Sequence, residues 1–232
     1  MSRFPDFARA ANQGGDPDTY ELENAAVDPD GTLDAALREL APWAGRDVLD
    51  LGCGSGYWLP GYAATARSVL GVEPDPTLLD RARARDRRVR VEAGSAEHIP
   101  LPDASVDVVH ARFAYFYPPG VDAGLAEVLR VLRPGGAFVM IDNDQRWGEF
   151  AELLAGSPWA EPQGVAEVTD RWWAERGAER RAVRSGWAFR SRADLDAVLH
   201  LEFPAGIADD WLRRHPGRTG LTYGYILFTV RR

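Results

Sequence analysis

The sequence predicts an α/β fold, doubly wound around a mostly parallel seven-stranded sheet with an antiparallel C-terminal edge strand. Three observations lead there. Short β-branched runs alternate with helical periods from residue 46 onward, which is the pattern of a parallel sheet covered on both faces. A glycine-rich turn directly follows the first of those runs. The last run, LTYGYILFTV, is reached without a full crossover helix after its predecessor, so it should pair antiparallel at the sheet margin. At about 150 residues per domain, 232 residues suit a single elaborated domain, here 32–232, preceded by an arm over 1–31.

The arm carries seven acids against Arg3 and Arg9 with several turn formers, and reads as an irregular segment or lid with at most a short helix. Leu33, Leu37 and Leu40 recur at helical spacing and Pro42 stops the pattern, so a helix is expected over 32–41. Strands follow at 47–51, 67–72, 89–92, 106–110 and 137–142, with helices at 57–64, 76–84 and 121–132 between most of them. Beyond Asp144 come a tryptophan-rich helical stretch over 145–176, a strand at 181–189, a helix at 193–201 and the final strand at 221–230.

Composition narrows the function classes. Hydrophobic residues at 45% and charged residues at 27% exclude a disordered or collagen-like chain. A net charge of −8 argues against nucleic acid and anionic membrane as partners. All basic residues are arginine, which removes lysine-based mechanisms. One cysteine, Cys53, cannot form an intramolecular disulfide, and a reducing cytoplasm suits it. No apolar run approaches a membrane span or a leader, so a soluble, unprocessed protein is expected.

The strongest motif is VLDLGCGSG, where a strand ends at Asp50 and Leu51 and runs into Gly52, Gly54 and Gly56. Alternate glycines let backbone approach a ligand closely. A dinucleotide loop has its third glycine one residue later, and a carboxylate two residues before the first glycine suits a cationic ligand better than pyrophosphate. Glu73 ends the next strand 23 residues after Asp50, where an acid can accept two ribose hydroxyls. The segment resembles the first motifs of class I S-adenosylmethionine-dependent methyltransferases, small-molecule branch, whose Rossmann-like fold is the one expected above. The stretch AGSAEHIPLPDASVDVVHARF resembles that family's adenine-contacting turn, although Ser95 stands where family members commonly carry an acid. EVLRVLRPGGAFVMID resembles the approach to its fifth strand, and together the motifs cover about residues 46–142.

The resemblance implies S-adenosylmethionine as cofactor, held by Asp50, Gly52, Cys53, Gly54, Gly56, Glu73 and Pro74. Adenine contacts fall on Ser95, Ala96 and Glu97, and the backbone of His110 or Ala111 can meet the ligand's ammonium. Tyr20, in TYELEN, is expected to fold over the cofactor as part of a lid. Methyl transfer needs mainly alignment, with a general base useful for a neutral hydroxyl or an acidic carbon. His110 is the positional candidate for that base, the alternative being a hydrogen-bonded structural imidazole. Trp58, Phe113, Tyr115, Phe116, Asp142 and Trp147 are candidates for the acceptor pocket, since aromatic faces attract a sulfonium. Asp142, Asn143 and Asp144 lack a third spaced ligand, so no metal is expected.

The expected activity is methyl transfer to a small, apolar or aromatic metabolite by a monomer or homodimer. The alternatives are an RNA or protein methyltransferase, and a non-catalytic S-adenosylmethionine-binding protein. Two arginine clusters, over 81–90 and 171–192, each net +5, and a continuous positive face formed by the second would favour RNA.

Overall fold

The computed structural model describes residues 4–160, 162 and 164–232. Its strands are β1 Asp47–Leu51, β2 Ser68–Glu73, β3 Arg90–Ala93, β4 Val106–Arg112, β5 Leu132–Asn143, β6 Glu179–Ala188 and β7 Gly220–Arg231. They form one sheet in the order β3-β2-β1-β4-β5-β7-β6. The first five are parallel, and β7 runs antiparallel to both β5 and β6. The antiparallel margin is therefore as expected, with β7 inside it and β6 outermost. Composition explains the order: β7 is apolar and buried along nearly its whole length, whereas β6 carries Arg180, Arg181 and Arg184, charges that suit an outer strand.

The helices that cover the sheet are α3 Thr32–Leu40, α4 Leu59–Ala63, α5 Pro76–Arg85, α6 Asp122–Val131, α7 Glu149–Ala155, α8 Val165–Glu175, α9 Arg192–Glu202 and α10 Ala205–Arg214, preceded in the chain by α1 Ala11–Gly15 and α2 Pro17–Ala26. Strand alternation divides the core between two faces. Val48, Val108, Val139 and Leu227 pack with Leu37, Trp43, Leu59 and Val198 on one side. Leu49, Val109, Phe138 and Phe228 pack with Leu125, Val128 and Trp173 on the other. Trp173 stacks on Phe228 at 5.3 Å, which places that tryptophan in the core, whereas Trp159 of the same region is exposed.

The arm is helical and docked, correcting the irregular segment expected from its turn formers. Asp16 caps α2 by accepting from the Thr19 N–H, and Pro17 opens the first turn. Asp18 pairs with Arg81 at 2.6 Å and Glu21 with Arg85 at 2.6 Å, so an acidic helix lies against the arginine-rich α5. Glu21 also accepts from the Ser55 hydroxyl in the glycine loop. Asp28 then accepts from the Leu33 and Asp34 N–H groups at the start of α3 and from Ser185 of β6.

The second arginine cluster is likewise broken up by acids. Arg176 pairs with Asp122, Arg180 with Asp170 and Arg181 with Glu39, while Arg192 donates to three backbone carbonyls. Among the described residues no helix is long and apolar enough to cross a membrane.

Candidate active site

β1 delivers the chain into a loop whose Gly52, Gly54 and Gly56 have φ of 75°, 56° and 78°, a region that glycine enters without steric cost. The loop is tied to β2: the Gly52 and Cys53 N–H groups donate to the Val72 carbonyl at 2.8 and 3.0 Å. Glu73, at the end of β2, is held from both sides. Its Oε2 accepts from Gly54 N–H and its Oε1 from Asp75 N–H, each at 2.8 Å. Each carboxylate oxygen keeps another lone pair. Burial pushes this carboxyl up to about 7, outweighing the two backbone hydrogen bonds that favour the charged form.

Glu73 lines a cavity of about 690 Å³ at the C-terminal end of the parallel strands, within the roughly 300–1,000 Å³ range of small-molecule sites. Gly52, Pro74, Ser95, Ala96 and Tyr20 line it as well. The arm roofs it: Asp6, Phe7, Arg9, Asn12 and Gln13 are all in the wall, and Arg9 Nε donates to the buried Asp75 carboxylate at 2.9 Å. Phe113 and Tyr115 wall it from the loop after β4, both at positive φ of 49° and 59°. Backbone strain of this kind collects where a loop is held to shape a site.

Other expected residues lie elsewhere. Asp50, Cys53, Gly54, Gly56, Glu97 and Ala111 do not line the cavity. Gly54 is covered by the Gln13 side chain, and Gly56 allows close packing on Leu59 and Ala82. The Glu97 carboxylate accepts from Tyr115 at 2.6 Å, which holds the cavity wall. Asp50 is buried with its Oδ2 unpartnered, and burial pushes it up to about 6 against the pull of the Arg112 guanidinium.

His110 is a correction. Its side chain is fully buried outside the cavity, edge-on to Trp43 and Tyr62, with Nδ1 2.8 Å from the Tyr62 hydroxyl. Arg112 donates to that same hydroxyl at 3.2 Å, and because a guanidinium only donates, Tyr62 uses its own proton on Nδ1. Burial and the Arg112 charge together lower the imidazole to about 3, leaving it neutral and structural. We expect His110→Ala to cost about 2–4 kcal/mol of stability, read as a lower melting temperature, with any activity of the site retained below that temperature. A large fall in turnover at unchanged stability would restore a catalytic imidazole.

Three aromatic expectations and one acid also move. Phe116 is buried against Phe138 and Trp173. Trp58 lies under the Arg112 guanidinium at 4.3 Å, and Trp147 under Arg184 at 5.2 Å. Asp142 lines a separate small cleft with Asp144 and Asp170. Aromatic content marks cores and cavities alike, so composition could not separate them. Wall residues that sequence reasoning missed come from distant segments: Arg112, Asn143, Phe150, Glu202 and Tyr223, with Glu23 from the arm. Arg112 carried a signal, since it sits two residues beyond His110 at the strand's end.

Residues 49–140 match the methyltransferase domain family. A probable S-adenosylmethionine-dependent methyltransferase of Mycolicibacterium smegmatis is 43% identical over 97 residues, 42% of this chain and 38% of that protein. A malonyl-[acyl-carrier protein] O-methyltransferase of Serratia marcescens is 33% identical over 124 residues, 53% of this chain and 47% of that protein. The chain thus spans less than half the length of these curated relatives. The fold superposes on a SAM-dependent methyltransferase from Aquifex aeolicus with a TM-score of 0.58 at 19% identity, over 91% of this chain and 97% of that one. The glycine loop, the doubly held Glu73 and the matched stretch agree: over residues 49–140 the chain is similar to the methyltransferase domain family.

Proposed function

We propose that this protein transfers a methyl group from S-adenosylmethionine to a small metabolite with apolar or aromatic character, seated under the N-terminal arm. The observation that carries the reading is the continuity of one roofed cavity from Glu73 and Ser95 to a wall of tyrosine and phenylalanine rings. The residues present fit the cofactor. Glu73 has lone pairs left for two hydroxyls, Ser95 and the backbone of Ala96 stand beside it for a base, and Gly52 offers backbone without a side chain in the way. When bound, the cofactor supplies a methyl group already activated for displacement. What the chain contributes is alignment and exclusion of water, which can lower a barrier by about 7–11 kcal/mol. The rings of Tyr20 and Phe113 favour a cation in the cavity, and the arm with its Asp18 and Glu21 anchors serves as the lid.

The RNA alternative loses its support because acids interrupt both arginine clusters. The test is calorimetry with a protease readout. S-adenosylhomocysteine should bind, stabilise the fold by about 2.7 kcal/mol at a hundred times its Kd, and protect the arm from cleavage. NAD should do none of these. Binding of NAD without S-adenosylhomocysteine would reverse the reading. A methyl-transfer screen over a metabolite library with labelled cofactor then identifies the acceptor.

A further inference from the structure

Glu23 from α2 and Glu202 from the end of α9 meet in the cavity wall, contributed by segments far apart in the chain. The Glu202 carboxyl adds to the burial that pushes Glu23 up, and Asn12 Nδ2 donates to Glu202 Oε1 at 2.8 Å. Glu23 is 8% exposed and its Oε2 has no partner. Among the described residues neither carboxyl has a cationic partner. The rings of Tyr20, Phe150 and Tyr223 share this stretch of wall.

Two adjoining carboxyls in a buried place cannot both ionise, so the pair shares one proton and carries one negative charge. Burial, and after it the neighbouring Glu202, push the Glu23 carboxyl well above the usual carboxylate range. A buried charge without a counterion is costly. A neutral hydroxyl acceptor would satisfy Glu23 Oε2 and leave the charge uncompensated, and a carboxylate acceptor would be repelled. An ammonium group satisfies both, and the aromatic rings add attraction to its face.

We infer that this carboxyl pair binds the amine of the methyl acceptor, making the protein an N-methyltransferase of small amines with an apolar or aromatic body. The inference rests on the methyl-transfer reading above. The bound ammonium passes a proton to the singly charged pair, leaving both carboxyls protonated and the amine neutral. The nitrogen lone pair then forms the N–C bond as the C–S bond breaks, with the C–S electrons staying on sulfur. The product is a methylated ammonium, and the pair returns its extra proton to water when the lid opens.

The test uses the full chain saturated with S-adenosylhomocysteine and titrated with benzylamine, 2-phenylethylamine and tryptamine, each beside its matched alcohol and carboxylic acid. At least one amine should bind roughly tenfold to a hundredfold more tightly than its alcohol, a charge-assisted contact's worth. With S-adenosylmethionine in its place, methyl should appear on nitrogen. The Glu23→Gln/Glu202→Gln double variant should lose that preference while keeping S-adenosylhomocysteine affinity and an undiminished melting temperature. Amines that bind no better than alcohols, a preference that survives in the double variant, or methyl found on oxygen or carbon would overturn the inference. Failure of the wild type to bind S-adenosylhomocysteine would instead overturn the reading on which it rests.

Discussion

A Gly54→Val protein should lose measurable S-adenosylhomocysteine binding. Gly54 has φ of 56°, where a β-branched residue is strained, and its added Cβ would fall inside the Gln13 side chain that closes the loop from above. Gln13 belongs to the arm, so the substitution distorts the glycine loop and pushes the arm away at once. It also disturbs the N–H that donates to Glu73 at 2.8 Å. Gly135→Val separates strain from site, because Gly135 has φ of 81° and nothing within 4 Å of its Cβ position. That variant should lose about 1–3 kcal/mol of stability and bind as the wild type does. Glu73→Ala is the milder loss, about 1.5–3 kcal/mol of charge-assisted hydrogen bonding, or roughly a tenfold to hundredfold weaker Kd. Calorimetry on the three variants checks the ranking, and a Gly54→Val protein with wild-type affinity would contradict the loop's role.

The sheet and its glycine loop were legible because their signals are local. β1 is five residues of apolar character with a turn that only glycines can make, and the predicted 47–51 coincides with Asp47–Leu51. The arm was less legible. α2 has only an acidic, weakly periodic sequence, and it is stable because Arg81 and Arg85 lie across from it, which no window on 17–26 reveals. The Glu23–Glu202 pair was hidden for the same reason: two ordinary helix glutamates become unusual only when tertiary packing sets them together. His110 was misread although its parity was available. Side chains alternate along a strand, and His110 shares a face with Val108, which packs under the helices and away from the opening. Position at a strand's end says where the backbone arrives, whereas parity says where the side chain goes.

Glu73 should also make stability and cofactor affinity depend on pH in opposite senses. Its carboxyl ionises near 4.5 when free and near 7 in the fold, because burial disfavours the charge. Between those values the folded state holds more protons than the unfolded chain, so stability falls as pH rises. The contribution is present below pH 4.5 and lost by about pH 7, on the order of 3 kcal/mol. His110 acts the other way, since it stays neutral down to about 3 and therefore destabilises the fold as pH drops below 6.5. Comparison with Glu73→Gln cancels that opposing slope, along with the parallel one from Asp50. Relative to wild type, the Gln variant should gain stability steadily from pH 4.5 to 7 and level off above. On the proposed reading, in which Glu73 accepts the ribose hydroxyls, S-adenosylhomocysteine affinity of the wild type should rise over the same interval and its binding should release a proton near neutrality. The Gln variant should bind weakly at every pH with no such release, which calorimetry in buffers of different ionisation heat reads directly. A flat stability difference between the two proteins would mean that Glu73 is already ionised when the site is empty, its two backbone donors outweighing burial.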